Sequence, residues 1–150
     1  MNKKFLIFIK ATMLAIGLSA CGATTDEFEE EAEVAAAPGA PIVIAGCHFQ
    51  VDRPHKSTHV PGTVNVVARV QCNRPVDKIE MMLGLALNGV ELKSSTFANS
   101  GSAYLQGNVA VPCVSGTYNG AAAATITFPP GTFPRIGNGN AGSGNVDITC

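Results

Sequence analysis

His48, Asp52, His55 and His59 form the one cluster of imidazoles and carboxylate in this sequence. Such groups ligate zinc or copper, or act as an acid–base pair. The His55–His59 spacing aligns two rings only on a helix. Pro54 and Pro61 flank the pair and predict loop instead, so solvated loop histidines are the favoured reading and no resident metal or other cofactor is expected. With Arg53 and Lys56, the three histidines make a modestly cationic patch. That patch would suit an anionic glycan or an acidic protein surface.

Other chemistry is thin. There is no Gly-x-Ser-x-Gly, no phosphate-cradling glycine loop before a helix and no His-Glu-x-x-His. Glycoside hydrolysis needs two carboxyl groups facing across a cleft. From Ile42 onward the only acids are Asp52, Asp77, Glu80, Glu91 and Asp147. With no Trp, and only Tyr104 and Tyr118, an aromatic sugar-stacking platform is sparse. An enzyme is therefore not expected. Seven Lys/Arg against five Asp/Glu in the same stretch, with no basic run, exclude a nucleic-acid surface.

The cysteines carry the remaining chemistry. Met1–Ala20 reads as a signal peptide, with Lys3 and Lys4 ahead of apolar Phe5–Ile9 and Met13–Leu18. Lys10 interrupts the apolar run, which argues against a permanent transmembrane helix. The stretch ends Leu18-Ser19-Ala20-Cys21, which resembles the bacterial lipobox. That resemblance implies a lipoprotein acylated on Cys21, held by the bilayer in the cell envelope and facing the periplasm or the exterior. The alternative is a freely secreted protein cut nearby, at Ala23 for example. Five cysteines leave an odd one in an oxidising compartment; acylating Cys21 leaves four.

Residues 21–41 read as a tether. Six of the eleven acids (Asp26, Glu27, Glu29, Glu30, Glu31, Glu33) lie there among alanines, and Phe28 is the one aromatic. Such a segment buries too little apolar surface to offset its ordering entropy.

Residues 42–150 read as one all-β domain. Alternation with period two runs through Cys47–Asp52, Gly62–Cys72, Val76–Asn88, Val90–Ser95, Tyr104–Cys113, Asn119–Phe128 and Gly144–Cys150. Asn88-Gly89 predicts a two-residue hairpin turn, Asn99–Ser102 a second turn, and Arg135–Gly144 a Gly/Asn-rich loop. About seven strands without a helix predict an antiparallel immunoglobulin-like β-sandwich, with a small closed β-barrel as the alternative. Cys47, Cys72, Cys113 and Cys150 fall on the apolar phase of their strands, which predicts buried disulfides. Three pairings are open; Cys47–Cys72 and Cys113–Cys150 are favoured, because each joins neighbouring or nearby strands across a modest loop. Each bond would contribute roughly 3–4 kcal/mol on a chain-entropy model.

Pro54–Ser57, Pro61–Val66, Cys72, Cys113–Tyr118, Phe128–Gly131 and Ile148–Cys150 together resemble small secreted two-disulfide proteins, common in actinobacteria and without assigned activity. The resemblance covers most of the mature chain and implies fold and export, not chemistry. The sequence thus predicts an exported lipoprotein whose non-catalytic, monomeric domain binds an envelope or extracellular ligand, glycan or protein, through its loops. The alternatives are a purely structural envelope component, and a metal-binding or enzymatic domain built on the His55/His59 loop.

Overall fold

The computed structural model describes residues 38–39 and 42–150. The signal peptide expected over 1–20, nearly all of the tether and Cys21 lie outside them.

The described residues are all-β and antiparallel. The strands are β1 (Ile42–Ile44), β2 (Cys47–Val51), β3 (His55–Lys56), β4 (Thr63–Leu87), β5 (Val90–Pro112), β6 (Gly116–Thr127) and β7 (Ile136–Ile148). They belong to one continuous sheet that curls into a half-barrel. β4 is its spine. The first half of β4 pairs with β2 and β3 on one side and with the second half of β5 on the other. Its second half pairs with the first half of β5 and with β6, and β7 completes the row. The long β4–β5 hairpin therefore serves both walls. It turns the corner where the ladder breaks between Gln71 and Val76, at Pro75, which has no N–H to give to a partner.

The alternation sorts side chains as expected. Phe49, Val51, Val64, Val66, Val70, Ile79, Met81, Leu83, Leu85 and Ile126 are fully buried in one core, and removing such apolar surface from water is the main favourable contribution to folding. The β4–β5 turn has Asn88 at φ 50° and Gly89 at φ 80°, the conformation that its sequence favours. A second such turn, Ala45-Gly46 at φ 43° and 87°, joins β1 to β2.

Both disulfides are present. Cys47 and Cys72 are register partners on β2 and β4, joined across the ladder. Cys113–Cys150 ties the final residue to the segment after β5, and Cys150 N–H donates to Ser115 Oγ at 2.9 Å. The first pair is buried as expected; in the second, Cys113 is half-buried and Cys150 exposed.

The strands differ from the sequence reading in several places. β1 is not among the expected strands, and His55, expected in a loop, lies on the short strand β3, where it pairs with Asn65. Gly62–Cys72 and Val76–Asn88 are halves of one bent strand, β4. Asn99–Ser102 lies inside β5, paired through Asn99, Ser100 and Ser102 to β4, and is not a turn. The expected loop Arg135–Gly144 is largely β7. Its inward positions, Gly137, Gly139, Ala141 and Ser143, carry little apolar signal, and at Gly137 the neighbouring side chains leave no room for more. A Cβ on Gly137 would come within 2.5 Å of the Ile44 side chain.

Candidate functional site

The core residues of β2, β4 and β5 face inward, so the alternate residues form an outward face in cross-strand rows. His48 pairs with Gln71, and Gln71 with Tyr104. Two residues along, Gln50 pairs with Arg69, and Arg69 with Gln106. The next row holds Val67 and Asn108, with Asp52 beside them, its N–H donating to Val67 O at 2.8 Å. Asn65 and Ala110 follow, and His55 pairs with Asn65 from β3. Arg69 Nη2 donates to Asp52 Oδ2 at 2.6 Å. The Tyr104 hydroxyl donates to Gln106 Oε1 at 2.6 Å.

Three of the four residues singled out by their chemistry border this face, but they are strung out along it. His48 and Asp52 sit four positions apart along extended chain, about 13 Å at strand rise, too far to share an ion. Asp52 is engaged by Arg69. His55 Nδ1 lies 3.1 Å from Arg53 O, turned toward its own chain. His59 is in the exposed loop after β3, where its backbone N–H and that of Val60 donate to Ser57 Oγ. Among the described residues no three His, Cys, Asp or Glu side chains gather as a metal site. Arg53, Lys56, His55 and His59 are all exposed near β3, as a cationic patch requires.

The domain's carboxylates all have partners. Besides the Asp52–Arg69 pair, Asp77 meets Arg135 at 3.1 Å and Glu80 meets Lys78 at 2.7 Å. Glu91 accepts from Ser94 Oγ at 2.9 Å, and Asp147 from Thr117 Oγ1 at 2.6 Å.

A concavity opens at the bend of β4, away from the rows of the outward face. It is a half-open depression of about 300 Å³ lined by Ala45, Gly46, the Cys47–Cys72 disulfide, Asn73, Arg74, Val76 and Phe128. Its floor is apolar, and Arg74 is the only formal charge in its lining.

Sequence reasoning found the polar phase of β4 but missed the face. Asn65, Arg69 and Gln71 are visible as outward residues of one strand. That Tyr104, Gln106 and Asn108 stand beside them depends on a pairing register between residues more than thirty positions apart. Tyr118 lies fully buried in the core, which leaves Tyr104 as the aromatic side chain in these rows.

No protein-family model, curated protein or solved structure matches the chain.

Proposed function

We propose that this protein is an exported lipoprotein, anchored through acylated Cys21, whose disulfide-stapled β domain binds an envelope or extracellular ligand without catalysis. The observation carrying the reading is the open polar face of β2, β4 and β5, set on a sheet locked by a cross-strand disulfide. Two disulfides fit an oxidising compartment outside the cytoplasm. A rigid sheet with pre-ordered side chains loses little freedom on binding, which favours recognition. Of the groups around β3, His55 borders the same face through its pairing with Asn65, while Arg53, Lys56 and His59 are exposed on the same stretch of chain.

The inner packing supports reading the curled sheet as a variant of the immunoglobulin-like sandwich. Tyr118 sits where the chain crosses from β5 to β6, and its hydroxyl bonds back to Val114, four residues upstream. Immunoglobulin-like domains carry such a tyrosine corner.

Purified full-length protein incubated with cell-envelope glycans, host matrix proteins and co-secreted proteins should bind at least one of them saturably. Saturable binding to none of them would sink the proposal. Mass spectrometry of the mature N-terminus tests the anchor. Diacylated or triacylated Cys21 is expected, and an unmodified residue other than Cys21 at that end would refute it.

A further inference from the structure

We infer that the outward face of β2, β4 and β5 takes a neutral polysaccharide strand, an inference that rests on the binding role proposed above. Same-face rows repeat every two residues, about 7 Å, and neighbouring strands stand about 4.8 Å apart. Three rows on three strands thus span roughly 10 by 14 Å, room for a short run of sugar rings. Gln50, Gln71, Gln106 and Asn108 supply amides, each able to donate and to accept. A sugar hydroxyl has the same dual character, so a polyhydroxylated chain matches this surface group for group.

Charge narrows the ligand. The Arg69 guanidinium is paired with the Asp52 carboxylate at 2.6 Å, so the centre of the face carries no net charge to draw a polyanion. The three rows from His48 to Asn108 include no Lys and no Glu, the residues that commonly keep exposed sheet surfaces charged and solvated. Protein partners favour a buried apolar centre, and here the apolar surface is confined to Val67 and the Tyr104 ring. That ring is 42% exposed. Its hydroxyl is held by Gln106, so the ring offers a fixed apolar platform with a polar end on which the C–H face of a sugar can stack.

The test is affinity electrophoresis of the purified full-length protein through native gels containing dextran, amylose or galactomannan, with heparin as a polyanion control. Retardation by at least one neutral polysaccharide and not by heparin is expected. Tyr104→Ala and Gln106→Ala should each weaken that retardation at least tenfold with an unchanged Tm. Asn140→Ala, at an exposed position of β7, should leave it unaltered. Retention by heparin alone, retention by no neutral polysaccharide, or equal retention of the Tyr104 and Gln106 variants would overturn the inference. Saturable binding to a protein ligand, insensitive to Tyr104→Ala, would also overturn it while leaving the broader binding role standing.

Discussion

Gly120 on β6 lies against Val66 on β4 so closely that a Cβ at Gly120 would stand 2.5 Å from a Val66 methyl carbon. The two residues belong to opposite walls of the curled sheet, so this contact sets how near β6 can approach the wall that carries the polar face. Overpacking a core typically costs about 1–3 kcal/mol. Gly120→Ala should lower stability by that amount. Val66→Ala removes the clashing methyls, and in the Gly120→Ala background it should cost less than it does alone. A double-mutant cycle by urea denaturation measures this coupling; strictly additive effects would contradict the close approach.

Tyr118 anchors the crossing from β5 to β6. Its hydroxyl donates to Val114 O at 2.8 Å and accepts from Val114 N–H at 3.0 Å, and the side chain is fully buried. Tyr118→Phe keeps the ring and leaves both backbone groups of Val114 without that partner. Val114 is 55% exposed, so water can replace the lost partner and each bond is worth only its net contribution, about 0.5–1.5 kcal/mol. A loss in that range is expected by chemical denaturation. Hydrogen exchange at Val114 should rise with it.

How much of this was legible in the sequence follows from where apolar side chains were available to report on burial. β2 and β4 place mostly Val, Ile, Leu, Met and Phe at every second position, and β6 keeps the same phase with Tyr118, Ala122, Ala124 and Ile126, so each is visible. Phase marks all four cysteines as inward and leaves three pairings open; Cys47–Cys72 is favoured because it joins nearby strands across a modest loop, and the structure has that bond. β7 is hidden, because its inward positions from Gly137 to Ser143 are Gly, Ala and Ser, with Gly137 pressed against Ile44. β1 is three residues long and too short to show a period. The bend at Pro75 and the continuity of β5 through Gly101 were hidden for a different reason. Turn-forming residues mark a change in chain direction, but not whether cross-strand pairing resumes after it. The polar face shared that fate, since only the register between β4 and β5 brings Gln71 beside Tyr104.

Ser143 repairs a fault in the β6–β7 ladder. The register slips between Asn119 and Ala121, and the fully buried Ser143 hydroxyl accepts from Gly120 N–H at 2.8 Å while donating to Gly144 O at 2.9 Å. Ser143→Ala strips the buried Gly120 N–H of its acceptor. The expected cost is about 1–3 kcal/mol, read as a lowered denaturation midpoint with an unchanged m-value. Ser143→Cys, a weaker hydrogen-bonding group of similar shape, should fall between the two.

The two disulfides should differ in what their loss exposes. Cys47–Cys72 spans 25 positions of sequence and Cys113–Cys150 spans 37. Chain-entropy estimates therefore give similar contributions of about 3–4 kcal/mol each. Their surroundings are unlike. The first is buried between paired strands that other contacts also hold in register, while the second ties down an exposed chain end that follows the last residue of β7. Cys47→Ala with Cys72→Ala should lower global stability and speed amide exchange across β2, because the bond sits within the core. Cys113→Ala with Cys150→Ala should speed exchange chiefly in residues 144–150 and their β6 partners Gly116–Asn119, as the end frays locally before the sheet opens. Hydrogen-exchange mass spectrometry of the two double variants separates these outcomes. A uniform rise across the whole domain in the Cys113/Cys150 variant would show that its disulfide secures the entire sheet and not the C-terminal end alone.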